Sequence, residues 1–264
     1  ESNMGIITLI SDWGLSDYYV AAVKGVIHKF HPEAHIVDIS HQIQPFDSAE
    51  AAYILRNTYP SFPEGTVHII GVNTEESLKE VHIVAYYNKQ YFIGTDDGIF
   101  SLIFDSEPDS IFELDVALES STYTFSSRDR FAKAAAHLLK GGKPDELGPP
   151  KKELIKKMLF KPVITENSLK GMIIHIDNYH NLITNISKND FKKFTSGSKF
   201  EISFRSHKYK VYKMHESYGD VRPGEIVALF TGNDMLEISI NKGKAASLLG
   251  IQKKDPIVIT KISN

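Results

Sequence analysis

The sequence predicts an α/β N-terminal domain with a mainly parallel central sheet, followed by a small all-β, barrel-like C-terminal domain. Two observations support this order. Apolar runs alternate with helix-like repeats through the first half, and short apolar runs separated by turn residues dominate the second half. A stretch rich in Gly, Pro and Lys at 141–161 lies between the two patterns and is typical of a linker. We therefore predict domains at residues 4–160 and 168–264.

The elements of the first half follow from local spacing. Residues 5–10 are apolar and β-branched, as in a buried strand, whereas 18–30 repeat apolar residues at helical spacing. Asp47 and Glu50 resemble a capping box that begins a helix. Further strands are predicted at 36–39, 66–72, 83–87 and 91–94, and a further helix at 130–139. The strands at 83–87 and 91–94 are predicted to form a hairpin across 88–90. Strands that alternate with helices favour a mainly parallel sheet covered on both faces.

The second half is dominated by strands. Short apolar segments recur at a spacing typical of a small antiparallel barrel or sandwich. The predicted strands are 172–176, 200–204, 209–214, 226–230, 236–240 and 257–259.

The composition narrows the function classes. The chain has 264 residues, a net charge of −3 and no cysteine. This charge gives no general attraction to nucleic acid or to an anionic membrane, and thiolate chemistry is excluded. No apolar run is long enough to cross a bilayer, so we expect a cytoplasmic protein without a membrane partner. The eleven histidines show no metal-ligand spacing, and we predict no metal site. Signatures of dinucleotide-binding, P-loop and nucleophile-elbow proteins are missing from the sequence.

Polar residues follow several predicted strands. Asp12 and Asp17 flank Gly14 after the first strand, where two carboxylates would hold a diol and a cation. The alternative is helix-start chemistry, because acidic residues favour the first turn of a helix. Asn73, Thr74 and Ser77 follow the third strand and would line a pocket or form a plain surface loop.

Two hydroxyl side chains and three aromatic rings complete the set of candidate ligand-binding residues. Ser126 and Ser127 precede a predicted helix, where they would cap it or help to bind an anion or a polarised water. Phe46, Tyr179 and Tyr218 would stack on a base, although most aromatic side chains belong to a core.

Six segments, in order along the chain, resemble the S-adenosylmethionine (SAM) hydroxide adenosyltransferase family, which is related to SAM-dependent fluorinases and chlorinases. The first resembles the family block Thr/Ser-Asp-x-Gly-x-x-Asp-x-Tyr-Val, and the last resembles Asp-x-Phe-Gly-Asn-x-x-Thr-Asn. The segments are SDWGLSDYYV at 11–20, VDISHQI at 37–43, FPEGTVH at 62–68, FIGTDDG at 92–98, RDRFA at 128–132 and IDNYHNLITN at 176–185.

The resemblance implies a homotrimer with SAM, as substrate rather than cofactor, bound at subunit interfaces. It implies that Asp12 holds the ribose hydroxyls and that Asp17 and Asp177 meet the methionine ammonium. Phe46 would lie along the ribose and methionine. The resemblance also implies that Tyr179 and Tyr218 pack on adenine and that Asn181 hydrogen-bonds to its edge. Asn233 would lie at the methionine carboxylate.

The chain departs from the family at the residues that handle water. Hydrolytic members have an Asp, an Arg seven residues later and a His before a Gly-Arg-Asp motif, and the matching positions here are Asn73, Glu80 and Ser126. Asn and Ser cannot act as general bases near neutral pH. Ser127 falls where fluorinase-like relatives have a serine.

Four functions remain open. The first is cleavage of SAM by water to adenosine and L-methionine, with water placed by Asn73, Ser126 and Ser127. The second is adenosyl transfer to another nucleophile, including a halide. The third is binding of SAM or adenosine without turnover, and the fourth is binding of another nucleoside.

Overall fold

The computed structural model describes residues 5–115, 125, 127–204 and 208–262; for residues 127 and 128 it describes the backbone alone. The chain divides into two compact units, Glu1–Met158 and Leu159–Asn264. That these units are separate domains bounded at 4–160 and 168–264 stays a prediction. Within the described residues no helix is long and apolar enough to span a bilayer.

The first unit alternates strands and helices over much of its length. Its strands are β1 (Ile6–Ser11), β2 (His35–Ser40), β3 (Val67–Gly71), β4 (His82–Tyr87), β5 (Gln90–Thr95) and β6 (Ser110–Glu113). Its α-helices are α1 (Tyr19–Phe30), α2 (Ser48–Thr58), α3 (Ile99–Ile103) and α4 (Ala132–Leu139).

The six strands form a mixed sheet in the order β2-β1-β3-β5-β4-β6. Strands β1, β2, β3 and β5 are parallel, whereas β4 pairs antiparallel with both β5 and β6. The prediction of a mainly parallel sheet is therefore not confirmed. The reason is the tight turn at Asn88 and Lys89, where both residues have positive φ and reverse the chain between β4 and β5.

Both faces of this sheet are buried. Leu9 and Ile10, neighbours in β1, belong to different apolar clusters because side chains alternate along a strand. The Ile10 cluster includes residues of α2 and α3, and the Leu9 cluster includes residues of α1 and α4. This double burial explains why the strands of this unit are continuous apolar runs rather than alternating ones.

The predicted linker at 141–161 is partly built into the first unit. Leu154 is buried in one of its apolar clusters, and the Ile155 N–H donates to both carboxylate oxygens of Asp96, at 3.2 and 3.1 Å. Lys151 lies 3.4 Å from the same carboxylate. A Lys- and Pro-rich composition indicated a solvated segment, but the buried Leu154 side chain and the buried carboxylate of Asp96 fix it to the unit.

A buried polar chain crosses the centre of the sheet. Gln90 donates through Nε2 to two backbone carbonyls, so its Oε1 must accept from His68 Nε2, 2.6 Å away. His68 Nδ1 then accepts from Thr8 Oγ1 at 2.6 Å. His68 is fully buried and neutral in this arrangement. Burial lowers the pKa of His68 to about 4, although the bond to Gln90 opposes the shift.

We expect acid to destabilise the protein through His68. The unfolded chain binds a proton near pH 6.5 and the folded chain only near pH 4, so stability present above pH 6.5 is lost as the pH falls toward 4. The loss in the free energy of unfolding should approach about 3 kcal/mol, at about 1.4 kcal/mol per pH unit. Denaturant unfolding between pH 7 and 4 measures it. His68→Gln should flatten this dependence, whereas His28→Gln, at an exposed position, should not; equal slopes in all three proteins would contradict the assignment.

The second unit is mostly β. Its strands are β7 (Val163–Ile164), β8 (Ser168–Ile176), β9 (Leu182–Ser187), β10 (Phe200–Phe204), β11 (Tyr209–Val211), β12 (Ile226–Phe230), β13 (Met235–Ile240) and β14 (Pro256–Lys261). It also contains two short helices, α5 (Lys188–Thr195) and α6 (Ala245–Leu249).

The strands of this unit form one antiparallel, nearly closed sheet in the order β11-β10-β14-β8-β9-β13-β12, and β7 pairs with β8. Met214, just beyond β11, bridges to Ala228 in β12 and brings the two ends of the sheet together. The barrel-like prediction is therefore confirmed. The sequence missed β9, because its Leu182–Ser187 run follows a polar motif that we interpreted as a site.

Candidate functional site

In the first unit, the predicted residues gather at the carboxyl ends of parallel strands. Asp12 follows β1, Asn73 follows β3, and Asp97 follows β5. Strands β1, β3 and β5 are consecutive neighbours in the sheet, so their ends lie along one edge. Such an edge is the usual ligand position in a parallel α/β sheet.

Asp12 is fixed by backbone bonds on both sides. Its N–H donates to Gly71 O at 3.3 Å, and its carboxylate accepts from Phe46 N at 2.9 Å. Phe46 has φ +65° and its side chain is 77% exposed, an arrangement that is costly for a bulky residue without a compensating bond. Asp12 therefore holds Phe46 in place and has a second carboxylate oxygen for a ligand.

The Asn73 amide has a defined orientation. Asn73 Nδ2 donates to Asp97 Oδ2 and to Ser48 Oγ, each at 2.8 Å, and Ser48 Oγ donates to the same Asp97 oxygen at 2.5 Å. A carboxylate only accepts, so Nδ2 must face Asp97 and Asn73 Oδ1 must face away. Asn73 itself has φ +52°. The amide oxygen is thus a positioned acceptor, and the sequence identified neither Ser48 nor Asp97 as its support.

The other candidates of this edge bond within their own loops. The exposed Asp17 accepts from Tyr18 N at 2.7 Å, but it lies outside the first turn of α1 and makes no cap bond to this helix. A ligand role for Asp17 stays a prediction. Ser77 Oγ accepts from Glu80 N at 3.0 Å and forms a turn there. Glu80 is exposed, and Thr74 is partly buried with its carbonyl 2.7 Å from His82 Nε2.

A cluster that the sequence did not indicate lies behind this loop. Arg130 Nη1 donates to Glu76 Oε2 at 2.6 Å and to His82 Nδ1 at 3.0 Å. Burial raises the pKa of Glu76, but the hydrogen bond and charge of Arg130 outweigh it, and the pKa is lowered overall. Burial and the Arg130 charge lower the pKa of His82, against opposing effects of the Thr74 carbonyl and Glu76.

The two predicted hydroxyls can be placed only in part. Ser126 lies outside the described residues. Ser127 begins the helical turn Ser127–Phe131 that leads into α4, and its side chain is not described. Their roles in placing water stay predictions.

In the second unit, Asp177 organises the loop between β8 and β9. Its Oδ1 accepts from the N–H groups of Tyr179 and Asn181, both at 2.9 Å, and its Oδ2 accepts from Asn181 Nδ2 at 3.0 Å. The Asn181 amide is therefore oriented with its oxygen away from Asp177. Tyr179 is 76% exposed and Asn181 is buried, so this loop presents an aromatic ring to solvent and holds an oriented amide inside.

Tyr218 is held by a buried acid that the sequence did not indicate. Glu237 is 4% exposed and accepts from Tyr218 Oη at 2.8 Å and from Ser239 Oγ at 2.5 Å. Burial raises the pKa of Glu237, and the charge of Asp177 adds to the effect, against the two hydrogen bonds. Burial and Glu237 also raise the pKa of Tyr218, whose ring stays partly exposed. Asn233 is exposed in the turn between β12 and β13.

Among the described residues no group of three His, Cys, Asp or Glu side chains has the geometry of a metal site. The arrangements described above instead offer carboxylates, oriented amides and exposed rings. This chemistry suits a ligand with hydroxyls, a cationic group and a flat base.

Comparison with known proteins agrees with this chemistry. Residues 7–148 match the N-terminal domain, and residues 171–258 the C-terminal domain, of the SAM hydroxide adenosyltransferase family. A relative from Methanocaldococcus jannaschii named (R)-S-adenosyl-L-methionine hydrolase is 30% identical, over 97% of this chain and 96% of its own. One of the same name from Thermus thermophilus is 29% identical over 95% and 98%. A fluorinase from Nocardia brasiliensis is 26% identical over 73% and 74%.

Solved structures show the same architecture. A crystal structure titled an uncharacterized conserved protein from Thermotoga maritima has a TM-score of 0.87 and 28% identity, over 97% of this chain and 100% of its own. A conserved hypothetical protein from Thermus thermophilus has a TM-score of 0.74 at the same identity and coverage. The two domain matches together cover most of the sequence, and the chain belongs to the SAM hydroxide adenosyltransferase family.

Proposed function

We propose that this protein cleaves SAM with water or hydroxide and releases adenosine and L-methionine. The observation that carries the proposal is the Asn73 amide, held by Asp97 at the sheet edge that also bears Asp12. Full-length relatives named (R)-S-adenosyl-L-methionine hydrolase support the same substrate.

The reaction needs few chemical groups. The oxygen of water forms a bond to C5′ of SAM while the C5′–sulfur bond breaks. The electron pair of the broken bond goes to sulfur. The sulfonium becomes the neutral thioether of methionine, so the leaving group requires no acid. The proton lost by water passes to solvent. Catalysis then depends on placing the attacking water in line with the C5′–sulfur bond and on separating this water from bulk solvent.

Each predicted candidate has a role in this scheme. Asp12 accepts from the ribose hydroxyls, and Asn73 Oδ1 accepts from the attacking water and orients its lone pair. Ser126 and Ser127 supply further hydroxyls to the water, and Thr74 and Ser77 line the same pocket. In the second unit Asp177, with Asp17 of the first, meets the methionine ammonium.

Recognition of the base and of the methionine carboxylate completes the scheme. Tyr179 and Tyr218 pack on adenine, Asn181 bonds to its edge, and Phe46 lies along the ribose. Asn233 takes the carboxylate. We expect a homotrimer with these residues meeting at subunit interfaces, a cytoplasmic location and no separate cofactor.

Chromatography of the purified protein incubated with SAM tests the proposal. Adenosine and methionine in equal amounts, in buffer without halide, are the expected products. A second candidate is halide transfer, which the similarity to fluorinases favours. A 5′-halogenated nucleoside that forms only with chloride or fluoride would replace the hydrolytic proposal. Unchanged SAM in all buffers, with binding detected by calorimetry, would leave a binding protein.

A further inference from the structure

Arg130, Glu76 and His82 form a charged cluster, here called the Arg130 cluster, that the scheme above does not use. Its members come from different parts of the chain: Glu76 from the loop after β3, His82 from the start of β4, and Arg130 from the turn before α4. Arg130 Nη1 contacts both partners, at 2.6 Å from Glu76 and 3.0 Å from His82.

The direction of each hydrogen bond in the cluster can be worked out. Arginine only donates, so His82 Nδ1 must accept from Arg130. His82 is then neutral and carries its proton on Nε2, which donates to Thr74 O at 2.7 Å. The Glu76 carboxylate also accepts from His82 N at 3.4 Å. The cluster is thus a continuous chain of bonds from Arg130 to the backbone beside Asn73.

Burial indicates that this geometry is specific. His82 is fully buried and the Arg130 side chain is 12% exposed. Arg130 Nε is buried and has no partner among the described residues. The ion pair is only partly buried, since the Glu76 side chain is 35% exposed, and such a pair contributes little to stability. A mostly buried guanidinium with an unsatisfied N–H costs stability. Stability alone therefore does not explain a guanidinium at this position.

The cluster joins the two segments that carry the proposed water-placing residues. Asn73 and Thr74 lie in the 72–81 loop. Glu76 belongs to the same loop, and His82 donates to its Thr74 carbonyl. Ser127 begins the same helical turn, Ser127–Phe131, that contains Arg130. Fixing Arg130 to Glu76 and His82 therefore fixes the turn relative to the loop.

We propose that Arg130 is a positioning residue for SAM cleavage: with Glu76 and His82 it sets the distance between the Asn73 loop and the Ser127 turn. The inference rests on the proposed function. Arg130 contacts neither substrate nor water in this role, and it acts by holding the two segments that do.

The test compares Arg130→Met and Arg130→Lys with wild type. We expect kcat at saturating SAM to fall about 10- to 100-fold in Arg130→Met, because small displacements of positioning groups have effects of this size. The Kd for adenosine, measured by calorimetry, should change less than about threefold, since binding needs less exact placement than reaction. Arg130→Lys should be intermediate, because its ammonium keeps the charge and can donate to both acceptors, but its side chain ends one bond short of the Arg130 Nη1 position.

Three further variants separate a loss of positioning from misfolding. Glu76→Gln keeps an acceptor for Arg130 and should retain more activity than Glu76→Ala. Lys133→Met is the matched control, since Lys133 lies on α4 beside Phe30 and should leave kcat unchanged. A kcat within twofold of wild type in Arg130→Met, or equal losses in kcat and adenosine affinity, would overturn the proposal.

A wild type that does not turn SAM over would refute the proposed function rather than the cluster's role. Amide hydrogen exchange then decides. Faster exchange in both 73–80 and 127–131 of Arg130→Met supports the cluster as the link between loop and turn, and unchanged exchange in either segment overturns it.

Discussion

Asp97→Asn should lower kcat for SAM cleavage by about 10- to 100-fold, because it disturbs the only charged partner of Asn73 among the described bonds. Asp97 accepts three donors: Ile99 N at 3.0 Å on Oδ1, and Asn73 Nδ2 and Ser48 Oγ on Oδ2. An amide at this position has one oxygen and one NH₂ group. In either orientation its NH₂ faces an N–H donor, so Asn73 or Ile99 loses its partner.

Exchanging the side chains of Asn73 and Asp97 gives a stricter test of this prediction. Asn73→Asp alone should also lose activity, because its carboxylate would lie against Asp97 and the pair would ionise with difficulty. In the double variant Asn73→Asp/Asp97→Asn, the new amide can donate to the new carboxylate and to Ser48 while its oxygen still accepts from Ile99. Every group is again satisfied, so the double variant should be more active than either single variant.

The measurements are kcat at saturating SAM and the melting temperature of all four proteins. Asp105→Asn serves as the control, since Asp105 is an exposed carboxylate of the same unit that pairs with Arg56. Activity losses that simply add in the double variant would mean that the two side chains do not act through each other. Recovery of activity in the double variant would show that position 73 tolerates the Asp that the family resemblance places there in hydrolytic members.

Asp12→Ala should raise KM for SAM roughly 100-fold or more, which is the loss expected for two hydrogen bonds from a ribose diol to a charged acceptor. The change also removes the partner of Phe46 N, 2.9 Å away, and releases the strained Phe46 backbone. Steady-state kinetics measure the effect. Asp12→Asn keeps an acceptor for Phe46 N and should have the smaller penalty.

A substrate with one hydroxyl removed separates the two causes. If Asp12 binds the diol, the penalty of Asp12→Ala should shrink clearly when SAM is replaced by its 2′-deoxy analogue, because one of the lost contacts is already missing. If Asp12 only supports Phe46, the penalty should be the same with both substrates. Asp105→Asn should leave KM unchanged with either.

The sequence by itself determined the elements that depend on local spacing. Sequence spacing predicted the apolar run of β1, the helical repeat of α1 and the short strands of the second unit. These elements are predictable because the periods of strands and helices appear among neighbouring residues. Position after a strand also placed Asp12 and Asn73 at one edge, because parallel strands end together. Ordered motifs, rather than any one residue, indicated the family.

The turn at 88–90 predicted the antiparallel hairpin of β4 and β5, which is confirmed, but the direction of β6 was decided only in three dimensions. A buried strand has the same apolar composition whichever way its neighbours run, so the antiparallel pairing of β4 with β6 could not be read from either strand. Leu154 was missed for a related reason. It lies among several apolar residues of a Lys-rich stretch, and only the fold shows that Leu154 is buried in the core whereas Met158 and Phe160 are exposed.

The supports of the site were also decided by tertiary structure. Asp97 lies 24 residues from Asn73, Arg130 lies 54 from Glu76, and Glu237 lies 19 from Tyr218. No local pattern links such partners, since each pair meets only after separate strands and turns have packed. The sequence thus determined which residues could touch a ligand, whereas the fold determined which residues orient them, because orientation depends on hydrogen bonds between distant segments.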